Sequence, residues 1–119
     1  MVDVDLPNVT EIGAYSFSYC RAVPEYDFPL LEYIGTNAFQ YNQAILSFTF
    51  GENLTTILGS AFMSCSNLSN LNFLSTTPPT FGNNSTFSSI APNSPSNLII
   101  VPCLHPDYYP VLFAQGVGN

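Results

Sequence analysis

The chain has 119 residues, of which 46% are hydrophobic and only 8% are charged, and its net charge is −7. Such a composition is typical of a folded domain, since disordered chains are poor in apolar residues and rich in charge. A single Lys or Arg argues against nucleic-acid binding, which needs basic side chains, and with no run of about 20 apolar residues we expect no membrane insertion.

An internal repeat begins in the first part of the chain. The stretch Ile12–Phe17 returns as Ile34–Phe39 and again as Ile57–Phe62, so that phenylalanines recur 22 and 23 residues apart. Self-similarity at this period is typical of a solenoid, in which each repeat is one coil stacked on its neighbours. We therefore expect the three isoleucines to lie in one column and the three phenylalanines to stack as an aromatic spine.

Each repeat opens with an apolar residue, a variable residue and a second apolar residue. These triplets are Val4–Leu6, Tyr26–Phe28, Phe48–Phe50 and Leu71–Phe73. A period of two predicts a strand whose outer residues point inward and whose middle residue points outward. The rest of each coil is predicted to be an irregular turn or a single helical turn that carries the phenylalanine. Gly13 and Gly35 follow the isoleucine, where we expect a tight bend.

The last part of the chain departs from the regular repeat. Phe81 and Phe87 take the places of the isoleucine and the phenylalanine, and residues 83–97 are rich in Asn, Ser and Pro, as in a surface loop. Leu98–Val101 is predicted to be a final strand, and residues 105–114 a short helix. We therefore expect one domain over residues 1–119, with repeats at 4–25, 26–47, 48–70 and 71–98 and a cap at 99–119.

The cysteines do not form an obvious catalytic or disulfide pattern. Cys20 and Cys65 occupy the same place two coils apart, which predicts a separation of about 10 Å. A disulfide needs Cα atoms closer than about 7 Å, so we expect free, buried thiols. Cys103 lies beside the only histidine, His105, but no third group is evident to orient a nucleophilic pair. We predict no catalytic residue and no cofactor.

The outward positions of the strands form the best candidate for a binding surface. Side chains of the same phase stack in columns on this face, which solenoids commonly use for partners. The predicted ligand-binding residues are Asp5, Glu25, Asp27, Thr49 and Asn72. The carboxylates would attract a basic partner, although they would also suit a plain solvated acidic face. No Asp-x-Asp-x-Asp-Gly loop is present, so we expect no metal site.

Three tyrosines fall at positions of the turns that are not predicted to be in the core. They are Tyr15, Tyr19 and Tyr41, and the last two are equivalent in neighbouring coils. Exposed tyrosines make good contacts with proteins and sugars, so all three are candidate aromatic contacts. They could equally be rims that pack against the aromatic spine.

These repeats resemble a known family. The run Leu68–Phe73 looks like the leucine-rich-repeat core, and the Ile-Gly-x-x-Ala-Phe-x-x-Cys form of Ile12–Cys20 and Ile34–Asn42 is similar to the BspA-like leucine-rich repeats of bacterial surface proteins. The chain departs from that pattern at Asn42, where Cys is usual, and at Leu58, where Gly is usual. The resemblance implies an α/β-type right-handed coil with short parallel strands, in about four repeats of 22–23 residues plus a C-terminal strand-helix cap.

The resemblance also carries expectations about function. It implies a non-enzymatic, secreted or cell-surface module that binds a protein or glycan in adhesion, host or matrix contact. The alternative is a structural spacer or assembly element of a larger surface or virion appendage protein. Met1–Asp5 has no features of a signal peptide, so we expect a fragment of a longer chain. Its first strand would then be an exposed edge through which copies could self-associate.

Overall fold

The computed structural model describes residues 3–83, 85–87, 90 and 98–100. Within these residues the chain forms nine short strands and no helix. The strands are β1 (Asp3–Asp5), β2 (Glu11–Ile12), β3 (Glu25–Asp27), β4 (Tyr33–Ile34), β5 (Ser47–Phe50), β6 (Thr56–Ile57), β7 (Asn70–Phe73), β8 (Thr80–Phe81) and β9 (Leu98–Ile100). Every recorded pairing is parallel, which confirms the predicted solenoid of stacked coils.

Each coil contributes one strand to each of two columns. The longer strands form a two-stranded sheet, β1–β3, and a three-stranded sheet, β5–β7–β9. β3 and β5 are neighbours but share no ladder, so this column is interrupted once. The second column is the four-stranded sheet β2–β4–β6–β8, built from strands of two residues. The sequence had indicated only the first column as strand.

The three isoleucines that were predicted to lie above one another are in the second column of strands. Ile34 pairs with Ile12 on one side and with Ile57 on the other, and Ile57 pairs with Phe81. Phe81 therefore takes the isoleucine position of the fourth repeat, as predicted. Side chains at equal phase lie above one another because each coil advances the chain by one strand spacing, about 4.8 Å.

The phenylalanines form the aromatic spine at the centre of the core. The rings of Phe17 and Phe39 stack with centroids 5.4 Å apart, and those of Phe39 and Phe62 stack at 5.0 Å. Phe87 continues the stack at 5.7 Å from Phe62, so it holds the place predicted for it. Phe39 and Phe62 are fully buried. Because these rings stack at nearly the spacing of the coils, each phenylalanine packs against the one in the next repeat.

The segment that carries each of the first three spine phenylalanines is a run of turns. In the first coil, Ser16 and Cys20 donate backbone hydrogen bonds to residues three places back, whereas Phe17 donates across to Ala38 of the next coil. This alternation satisfies the backbone both within and between coils. Of the two alternatives that the sequence allowed, the irregular turn is therefore present and the helical turn is not.

Gly35 is required by the close approach of neighbouring coils. A Cβ atom at this residue would lie 2.6 Å from the backbone nitrogen of Ala14. The predicted bend is present, since Ala38 donates to the carbonyl of Gly35. The reason for the glycine is thus a lack of space between coils.

Some expectations were wrong or lie outside the described residues. Leu6 was predicted to point inward, but 40% of its surface is exposed, because no further coil of the described chain covers the outer side of β1. The strand predicted after residue 97 is present as β9. The predicted helix at 105–114 and most of the cap at 99–119 lie outside the described residues.

Among the residues that the structure describes, no helix is long and apolar enough to cross a membrane.

Candidate functional site

The strand face is the surface formed by the outward residues of β1, β3, β5 and β7. The alternation of the strands creates it, since Tyr26 and Phe48 are buried while the residues beside them are exposed. Asp5, Glu25, Asp27, Ser47 and Thr49 are all exposed, and Asn72 is partly exposed. The predicted inward and outward pattern is confirmed for β3, β5 and β7.

A groove of about 480 Å³ runs across this face. We call it the acidic groove, and it is lined by Val4, Asp5, Glu25, Tyr26, Asp27, Ser47 and Thr49. It crosses the point where the sheet column is interrupted between β3 and β5. The structure therefore brings together four of the five residues proposed from the sequence. The fifth, Asn72, lies on β7 and does not line the groove.

The charge of the acidic groove is not balanced by the rest of the described chain. Asp5 and Asp27 are register partners on neighbouring parallel strands, which places two carboxylates at the spacing of one strand, about 4.8 Å. Like charges directly opposite each other on a sheet are destabilising. The chain has one Lys or Arg, Arg21, and its guanidinium carbon lies 5.5 Å from the centre of the Tyr19 ring. The groove can therefore attract a cationic group from outside the molecule.

The three candidate tyrosines do not line the acidic groove. They lie in the turn segments, and all have left-handed backbone, with φ of 61° for Tyr15, 62° for Tyr19 and 60° for Tyr41. Glycine and asparagine adopt positive φ most readily, whereas a bulky residue rarely does. This strain is a feature that the sequence did not reveal.

The tyrosines differ in their surroundings. Tyr15 is 60% exposed and Tyr19 is 55% exposed. The rings of Tyr19 and Tyr41 stack with centroids 4.6 Å apart, and Arg21 lies over Tyr19. Tyr19 and Tyr41 thus form a stacked pair on the surface, separate from the acidic groove.

A buried polar network occupies the cysteine position of the repeats. Asn42 donates through Nδ2 to the carbonyls of Phe17 and Phe39, at 2.7 and 2.9 Å, and accepts a 2.6 Å hydrogen bond from the Tyr26 hydroxyl. Burial, aided by Cys20, raises the pKa of Tyr26 above its ordinary value. The Cys65 thiol donates to the carbonyl of Phe39 at 3.1 Å.

Cys20 and Cys65 are free, as predicted, but only Cys65 is buried and Cys20 is partly exposed. Burial raises the pKa of Cys65 to about 12, which keeps this thiol protonated and unreactive. Within the part of the chain that the structure describes, no three His, Cys, Asp or Glu side chains are placed to hold a metal ion. Cys103 and His105 lie outside that part.

Comparisons with known proteins agree with the fold. The profile of the BspA type leucine-rich repeat region matches residues 1–97, in six copies. Among solved structures, the chain is similar to a leucine-rich repeat protein from Bacteroides ovatus ATCC 8483, with a TM-score of 0.62 and 21% sequence identity. The match covers 73% of this chain and 22% of that protein, so this chain spans less than a quarter of its length. No curated protein matches the sequence.

Proposed function

Since the chain belongs to the BspA-type leucine-rich-repeat family, we propose that it is a non-enzymatic protein-binding module whose binding surface is the strand face. The observation that carries the proposal is the acidic groove, where Asp5, Glu25 and Asp27 converge with Thr49. Rigid strands hold these side chains in place, which limits the entropy lost on binding. An unbalanced negative surface also speeds the encounter with a positively charged partner.

The proposed setting is the cell surface or the extracellular space, in adhesion, host or matrix contact. The support is the association of this family with bacterial surface proteins. The partner is a protein with a basic surface, because the groove offers carboxylates and hydroxyls. A glycan ligand is the second class to be tested, and the stacked Tyr19–Tyr41 pair would be its contact.

The test is binding to a printed array of matrix proteins and glycans. The double reversal Glu25→Lys/Asp27→Lys changes two groove carboxylates, whereas the matched control Glu11→Lys/Glu32→Lys changes two exposed carboxylates outside the groove. Both variants shift the net charge by the same amount. We expect the groove variant to lose about tenfold or more in affinity for any protein that the parent chain binds, and the control to retain that affinity.

Equal binding by the two variants would contradict the assignment of the strand face. Circular dichroism of both variants checks that the fold is intact. If the parent chain binds nothing on the array and forms concentration-dependent assemblies in light scattering, the alternative of a spacer or assembly element is favoured instead.

A further inference from the structure

A second pocket adjoins the acidic groove at the ends of the strands. It has a volume of about 320 Å³, and we call it the leucine notch. Leu30 and Leu74 contribute to its walls, and they are 42% and 45% exposed. Asp27 and Thr49 line both the notch and the acidic groove, so the two depressions are continuous.

At the floor of the notch the coils pack backbone against backbone. Pro29, Gly51 and Leu74 follow the strand in three successive coils. A Cβ atom at Gly51 would lie 2.8 Å from the carbonyl oxygen of Pro29, so the backbone contact requires glycine. The flanking coils are two strand spacings apart, or about 9.6 Å. The notch, at about 320 Å³, can take one large apolar side chain from outside.

The surroundings of the notch define the chemistry of its occupant. Its exposed leucines offer apolar surface that would be removed from water on binding. Asp27, shared with the groove, and Glu52 at the notch place negative charge directly beside that apolar surface. No Lys or Arg lines either depression, since the single one in the chain stacks on Tyr19. A fitting occupant therefore combines a cationic side chain with a large apolar one.

We propose that the acidic groove and the leucine notch together bind an extended peptide segment of a partner protein, with a Lys or Arg in the groove and a large apolar side chain in the notch. In an extended peptide, residues i and i+2 project from the same side about 6.6 Å apart. The pattern Arg-x-Leu therefore presents a cationic and an apolar side chain on one side of the peptide, as two adjoining depressions require. This proposal rests on the proposed function and specifies the partner that the strand face selects.

The test uses three synthetic fluorescent octapeptides and fluorescence anisotropy. One contains an Arg-Ser-Leu core, one has Gln in place of the Arg, and one has Ala in place of the Leu. We expect the first to bind the chain at least tenfold more tightly than either of the others, because each replacement empties one depression.

Two protein variants assign that preference to the notch. Leu30→Ser/Leu74→Ser replaces two exposed side chains and should make the Leu and Ala peptides bind equally, while the preference for Arg over Gln remains. Leu46→Ser is the matched control, since Leu46 is 61% exposed and lines neither depression. It should behave as the parent chain does.

The proposal is overturned if no peptide binds at millimolar concentration, if the Leu and Ala peptides bind the parent chain equally, or if the notch variant keeps the preference for Leu. Loss of array binding in Glu25→Lys/Asp27→Lys with no peptide binding would leave the proposed function standing and remove this inference alone. Peptide binding that is unaffected by that reversal would remove both.

Discussion

Asn42 stands where the neighbouring coils have Cys20 and Cys65, and its partner explains the exchange. The Tyr26 hydroxyl is buried and needs an acceptor, which Asn42 Oδ1 supplies at 2.6 Å. The other repeats place Val4, Phe48 or Leu71 at the position of Tyr26, and none of these side chains has a polar group to satisfy. Tyr26 and Asn42 thus differ from the other repeats together, since the asparagine satisfies the hydroxyl that the tyrosine introduces.

This pairing predicts a strong coupling between the two positions. Asn42→Cys leaves the Tyr26 hydroxyl without its acceptor and removes the side-chain hydrogen bonds to the carbonyls of Phe17 and Phe39, which keep their backbone donors. This should cost about 2–3 kcal/mol of unfolding free energy. Adding Tyr26→Phe removes the unsatisfied hydroxyl, so the double variant should recover about 1–2 kcal/mol relative to additive behaviour. Urea denaturation of the parent chain, both single variants and the double variant measures the coupling. Additive costs would show that the hydrogen bond does not link the two residues.

The raised pKa of the Cys65 thiol predicts that the folded chain loses stability at alkaline pH. Its pKa is about 12 in the folded chain against an ordinary value of 9.0, so above pH 9 the unfolded chain ionises first and the folded state loses stability. At pH 10 this amounts to about 1.4 kcal/mol. Between pH 8 and pH 10, the unfolding free energy of Cys65→Ala, measured by urea titration, should therefore fall by about 1.4 kcal/mol less than that of the protein with Cys65. Both proteins should carry Tyr26→Phe, because Cys65 contributes to the raised pKa of Tyr26 and that contribution would otherwise differ between them. Parallel pH profiles of the two proteins would contradict the assigned cause.

At the scale of the elements, the repeat period was sufficient to predict the strands that open each coil. Alternation is a local property of a strand, so the position of a residue within its repeat was enough to predict which side chains are buried. The buried residues predicted in this way in β3 and β5 and directly after β3 are Tyr26, Phe28, Phe48 and Phe50. The two-residue strands of the second column were missed. Glu11–Ile12 and its equivalents are too short to show alternation, and they become strands only when another coil lies beside them.

The turn segments also have a feature that could not be predicted from the sequence of one repeat. Ser16 and Cys20 follow the left-handed residues Tyr15 and Tyr19, and nothing in a tyrosine side chain indicates positive φ. The hydrogen bonds from Phe17 and Tyr19 to the next coil hold the backbone in this form. Strain that neighbouring coils maintain can therefore be seen in the structure but not in one repeat of the sequence.

At the scale of the whole molecule, the candidate site is a product of stacking. Four of the five proposed residues, Asp5, Glu25, Asp27 and Thr49, come from three coils and meet in one groove because they share a phase. The leucine notch could not be predicted in the same way, since it depends on how the coils that carry Leu30, Gly51 and Leu74 pack against one another. Sequence periodicity predicts which residues share a face, whereas the depressions on that face require coordinates.

The most direct test of the account is whether residues of equal phase lie above one another in solution. In a methyl nuclear Overhauser spectrum with labelled isoleucine, Ile34 should show cross-peaks to both Ile12 and Ile57, its register partners. Ile12 and Ile57 are two spacings apart, about 9.6 Å, and should show none to each other. A direct Ile12–Ile57 cross-peak, or the absence of both cross-peaks from Ile34, would contradict the stacked coil on which the strand face depends.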